Sequence, residues 1–175
     1  PRAVAVDSND NIYVSSYYSS SVQKFDSSGN LLYTFSGNGL GDVYACAIGS
    51  NGDLYVACGW NQRIVQFDTS SGNVVATINV SDIVGQVAAG VAGNILFQGY
   101  NTNVMAIDGT NQTQIVSGYS NVFGIAVDSQ GYMYIHDAQT GLITRFNPDG
   151  TNPTVLDPNS TEPINGYGKT SKTIY

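Results

Sequence analysis

"DLYVACGWNQRIVQFD", Asp53 to Asp68, gathers the chain's single Trp, one of its two Cys and one of its few basic residues. Such a concentration of rare side chains reads at first as a reactive site. The rest of the chain points elsewhere, because the stretch has counterparts. "AVAVDSNDNIYV" (Ala3 to Val14), "ACAIGSNGDLYV" (Ala45 to Val56), "AAGVAGNILF" (Ala88 to Phe97) and "GIAVDSQGYMYI" (Gly124 to Ile135) are versions of one phrase. Aligning Ile12, Leu54, Ile95 and Met133 gives spacings of 42, 41 and 38 residues.

A second phrase follows each first one: "VQKFD" from Val22, "IVQFD" from Ile64, "VMAID" from Val104 and "ITRFN" from Ile143. Its aligned positions Phe25, Phe67, Ile107 and Phe146 lie 42, 40 and 39 residues apart, so the two phrases keep phase. Turn residues and one more apolar stretch complete each unit, which therefore reads strand, tight turn, strand, loop, strand, turn, strand. Four antiparallel strands in ~40 residues is the size of a propeller blade. The predicted fold class is an all-β propeller built of four-stranded antiparallel blades. About four blades are present, over residues 1–39, 40–83, 84–118 and 119–158, with 159–175 as a tail, linker or pairing strand. The first two strands of each unit are apolar on both faces, as in "AVAV" and "LYVA", which predicts blades stacked face to face. Strands such as "VQKFD" alternate and are expected nearer the rim.

Composition agrees. The 175 residues are 42% hydrophobic, enough for a core, and carry a formal charge of −7 from thirteen acids against six Lys and Arg. Glu162 is the only Glu, and Ser, Asn, Gly and Tyr are abundant, so strand and turn formers outweigh helix formers. With that charge and no basic run, the surface would repel a nucleic-acid backbone or an anionic membrane. No apolar run approaches the ~20 residues that span a bilayer as a helix. The start at Pro1, already strand-like, reads as a chain processed or excerpted from a longer one.

The motif Ala-Val-Asp-x-x-Gly-x-Ile/Leu-Tyr-Val-Ala-Asp-x-x-Asn-x-Arg-Ile-x-x-Phe-Asp resembles the NHL-repeat family of β-propellers, and "LYVACGWNQRIVQFD" is its best copy. Cys58 stands there in the place of the usual Asp. The fourth unit keeps Asp137 but has Thr140 and Leu142 where the family has Asn and Arg. The first unit has Ser16, Ser19 and Ser21 at those three places, and the third is shortened. The resemblance spans nearly all of residues 1–158. It implies closure, most often with six blades, so four units call for blades elsewhere in a longer chain, a small four-bladed ring, or neighbouring copies. A fragment or a subunit of a repetitive assembly is the favoured expectation.

Few residues offer chemistry. Cys46 and Cys58 fall on one face of the same predicted hairpin, diagonal or opposite according to register, which leaves a disulfide and two buried free thiols as equal readings. His136, the single His, sits beside Asp137 and invites a general-base reading. The plainer one is structural, since Asp137 occupies the family's usual Asp position. Asp7 and Asp128 recur at the first turn, and Asp26, Asp68, Asp108 and Asn147 at the later one, as turn-capping residues do. The spacing of a Ca²⁺ loop is absent, and two Cys with one His fall short of a four-ligand Zn site. No catalytic residue, metal or cofactor is implied.

Tyr17, Tyr18, Trp60, Arg63 and Tyr100 belong to equivalent loops of the first three units, which emerge at one end of a propeller and form a candidate contact surface. Asn79, Asn111 and Asn159 are N-glycosylation acceptors. These features lead to an expectation of a non-catalytic, extracellular or cell-surface module that contacts proteins, copies of itself or glycans, or builds a surface assembly. The competing expectation is a fragment of a propeller-type lyase or hydrolase whose catalytic residues lie mostly elsewhere. RNA binding, as in some NHL proteins, is disfavoured by the acidic balance.

Overall fold

The structure, a computed structural model, describes residues 1–91, 93–99, 103–108, 111–119 and 121–156. The described residues form sixteen strands and no helix. The first sheet holds β1 (Val4–Val6), β2 (Ile12–Ser16), β3 (Ser21–Phe25) and β4 (Leu31–Ser36). The second holds β5 (Val43–Ile48), β6 (Leu54–Cys58), β7 (Arg63–Phe67) and β8 (Val74–Asn79). β9 (Val84–Ala89), β10 (Ile95–Gly99), β11 (Val104–Asp108) and β12 (Asn111–Val116) make the third, and β13 (Val122–Val127), β14 (Met133–Asp137), β15 (Leu142–Phe146) and β16 (Thr154–Val155) the fourth. Each is a four-stranded antiparallel meander with strands in chain order. The predicted all-β class and the four-stranded blade are therefore present in full.

Asx turns close the first hairpins. Asp7 Oδ1 accepts the Asn9 and Asn11 amides, at 2.9 and 3.0 Å, and Asp128 Oδ1 accepts those of Gln130 and Tyr132 at 2.9 and 3.0 Å. Asp26 and Asp68 cap the later turns by accepting backbone N–H groups in the same way. A carboxylate held by several local donors satisfies amides that a tight turn would otherwise leave unpaired.

The innermost strands β1, β5, β9 and β13 stand side by side, each packed on the next. Their small Ala and Gly residues allow close approach, while Val, Ile, Leu and Phe fill the space between sheets. The largest cluster joins the first three blades through Tyr13, Phe35, Leu54, Phe67 and Phe97. A second joins the third blade to the fourth through Leu96, Ile125, Met133 and Ile135. The fourth strands lie at the rim, as β4 shows by exposing all but Phe35.

Candidate functional site

Antiparallel order brings the starts of the inner strands and the ends of the second strands to one end of the blades. At that end β5 and β13 each carry a bulge, which leaves Tyr44 and Phe123 unpaired in the ladder. Gly85 occupies the equivalent bulge of β9. A bulge inserts one residue and re-aims its side chain. In the first blade the equivalent residue is Arg2, whose amide donates to the Ser15 carbonyl at 2.8 Å.

Re-aimed in this way, Tyr44 and Arg2 meet. The Arg2 guanidinium carbon lies 4.1 Å from the Tyr44 ring centroid and 5.6 Å from that of Tyr17, within cation–π range. Tyr17 packs edge-on against Tyr44 and against Tyr18, at 5.4 Å in both cases. Loss of solvent contact and then the nearby Asp42 carboxylate push the Tyr17 phenol up, so it stays neutral and able to donate. The Tyr44 ring packs against Gly59, where an added Cβ would come within 2.4 Å of it. Trp60 follows directly and is 57% exposed, and Tyr18 is 98% exposed. The result is an aromatic platform that is anchored beneath and open above.

Of the residues expected in a contact surface, Tyr17 and Tyr18 are therefore brought together, and Trp60 adjoins their support. Arg63 is half-buried and lies beside Gly39, where an added Cβ would come 2.8 Å from its Nη1. Tyr100 lies outside the described residues. Arg2 and Tyr44 were not anticipated, because their role depends on a bulge that no turn residue announces. Asn79 and Asn111 are exposed at strand ends, whereas Asn159 and the tail lie outside the described residues.

Of the two readings left open for the thiols, the structure carries the unbonded one. Cys46 and Cys58 are free and buried. Cys46 pairs with Val56, which makes Cys58 its diagonal neighbour, and the bulge then sets Cys58 against Val43. Diagonal partners stand roughly 7–8 Å apart, past the Cα separation of about 7 Å that a disulfide tolerates. Instead Cys46 Sγ approaches the Tyr13 carbonyl at 3.9 Å and Cys58 Sγ that of Val56 at 3.8 Å. Burial pushes the Cys46 thiol up to about 12, and burial raises Cys58 as well, so both are inert at neutral pH.

His136 and Asp137 likewise separate. They are consecutive in β14 and so point to opposite faces of the sheet. Asp137 is buried and accepts the Gln139 amide at 3.0 Å and the Thr140 hydroxyl at 3.2 Å. His136 packs against Phe123 at 6.4 Å, and its Nε2 is buried without a hydrogen-bond partner among the described residues. Among the described residues no three His, Cys, Asp or Glu side chains converge as metal ligands would.

At the opposite end of the inner strands, one turn from each blade lines a cavity of about 320 Å³. Its equivalent positions are Asp7, Gly49, Gly90 and Asp128, followed by Ser8, Ser50, Val91 and Ser129. The two carboxylates are committed to their own turns. For each, burial pushes the group up, but hydrogen bonds outweigh it and hold the carboxyl below its usual range: from Asn11, Asn9 and Tyr13 on Asp7, and from Tyr134, Gln130 and Tyr132 on Asp128. Neither is suited to accept a proton near neutral pH.

Fold and site together define a β-propeller segment with one aromatic loop end. No family model matches the chain, and no curated protein sequence does. Solved structures do resemble it. A streptogramin B lyase structure shares 15% identity at a TM-score of 0.73, covering 89% of this chain and 53% of the lyase. Virginiamycin B lyase from Staphylococcus aureus, in selenomethionine form, gives 15% identity and a TM-score of 0.72, with 92% of this chain and 57% of the lyase covered. A catalytically inactive histidine-to-alanine variant of that lyase, with quinupristin, gives 14% and 0.75, with 93% and 57% covered. These likenesses establish the propeller fold. The chain spans little more than half the length of each of these proteins.

Proposed function

We propose that this chain is a non-catalytic, extracellular β-propeller module of NHL type that binds neutral glycan chains on its aromatic loop end. The observation that carries the reading is the exposure of Tyr18 and Trp60 beside a support fixed by Arg2, Tyr17 and Tyr44. Rings held open to solvent offer apolar faces with polar tips, which suits sugar rings that carry hydroxyls at the edge and C–H groups on the face. The net charge of −7 favours a neutral partner over a polyanion. The titratable groups support binding over chemistry, since the carboxylates of the inner turns are held low and the thiols are held high.

Retention on immobilised neutral oligosaccharides tests this. The native chain is retained, Tyr18→Ala and Trp60→Ala each weaken retention, and His136→Ala leaves it unchanged. Losing one central aromatic commonly costs ~2 kcal/mol, roughly 30-fold in affinity. Retention that survives both aromatic substitutions would refute the assignment.

A second reading, a segment of a propeller-type lyase, is favoured by the lyase structures that share the fold and by the unpartnered His136 Nε2. It predicts that quinupristin incubated with the protein yields a new chromatographic species, and that His136→Ala abolishes it.

A further inference from the structure

The inner and outer blades bury their second strands differently. Every residue of β6 and β10 is buried. In β2, Ile12 and Val14 are only half-buried while Tyr13 and Ser15 are buried; in β14 the phase is reversed, with Met133 and Ile135 buried and Tyr134 and His136 half-buried. Among the described residues, the first and fourth blades thus each pack through one face, and no described blade covers the other.

The internal interfaces follow one rule. Cys46 reaches back to the Tyr13 carbonyl, so it faces the preceding blade, together with Leu54 and Val56. Ala45, Ala47, Tyr55 and Ala57 face the following one. In the third blade Val87, Ile95 and Phe97 join the core of the first two blades, while Ala88 and Leu96 join the core of the fourth. Branched and aromatic apolar side chains therefore look back, and small residues plus one large ring or Leu look forward.

The two open faces are the two halves of one more such interface. The backward face of the first blade presents Val4, Ile12, Val14 and Phe25, all half-buried. The forward face of the fourth presents Gly124, Ala126, Tyr134 and His136, also half-buried. Phe25 stands where Phe67 stands in the second blade, and Phe67 packs on Phe35 of the first at 5.3 Å. An apolar surface of this kind is a contact surface.

We infer that a second copy of this chain covers both faces, the fourth blade of each copy seating on the first blade of the other. Two copies then close a ring of eight blades, within the 4–8 that propellers adopt. The proposal concerns residues other than those of the aromatic platform, and its failure leaves the glycan reading untouched.

Sedimentation of the 175-residue chain tests it, with a predicted mass twice the 18.5 kDa of one copy. Val14→Asp spoils the backward face and Ala126→Asp the forward face. Each variant alone is then monomeric, and an equimolar mixture recovers a dimer, because one intact pair of faces remains. Far-UV circular dichroism verifies folding, and Ile12→Lys with Tyr134→Glu replaces any variant that fails it. A monomeric native chain, a dimer that survives both substitutions, or a mixture that stays monomeric would each overturn the inference.

Discussion

Single residues explain why the conspicuous stretch at Asp53 to Asp68 is structural apart from the exposed Trp60: Leu54 to Cys58, Ile64, Val65 and Phe67 are all buried. Asp7 shows the same logic elsewhere: its carboxylate accepts two turn amides, the Asn11 side chain and the hydroxyl of Tyr13 at 2.9 Å. Tyr13 is fully buried, so Asp7→Ala strands a phenol without an acceptor and is expected to cost ~1–3 kcal/mol in chemical denaturation. Asp128→Ala should cost less, because its partner Tyr134 is only half-buried. These carboxyls are depressed in the folded state, so their contribution is complete above the unfolded carboxylate range near ~4 and is lost as pH falls through the folded values. Denaturation midpoints followed down from neutral pH should therefore hold steady until the acid range and then drop. The thiols give a cleaner reading: an aromatic disulfide reagent at pH ~8 should label neither Cys in the folded protein and both after unfolding. Rapid labelling of the folded chain would contradict the buried geometry.

At the scale of strands, the repeated phrases made the blades legible, since periodicity and turn residues are local properties. The hairpin register that sets Cys46 against Val56 was also readable from the turn at Ser50 to Gly52. What could not be read was the bulge at Tyr44. It depends on how an inner strand accommodates its neighbours, and it hid the meeting of Tyr44 with Arg2. The expectation of strands buried on both faces holds for β6 and β10 and fails for β2 and β14, whose outer faces no described blade covers. Amide hydrogen exchange should rank the strands accordingly, slowest in β6 and β10 and fastest in the rim strands β4 and β8. Gly59→Ala tests the support of the platform: its Cβ cannot share space with the Tyr44 ring, so glycan retention should fall while the far-UV spectrum is kept.

For the whole molecule, the proposed binding role rests on shape rather than on reactive groups. Stacked blades hold backbone and rings rigid, which lowers the ordering cost of binding, and the equivalent loops of successive blades add their surfaces together. Sequence alone located those loops through Tyr17, Tyr18 and Trp60, because each follows the second strand of its unit. It could not assign the ligand, which depends on the outline of the assembled surface, and a fold shared with lyases does not assign it either. Trp60 supplies the sharpest test, because it is the only Trp and adjoins the platform. Titrating the native chain with neutral oligosaccharides while recording tryptophan emission should give a saturable change that Tyr44→Ala abolishes. Emission that stays constant across all of them, with the protein folded, would contradict the glycan-binding account.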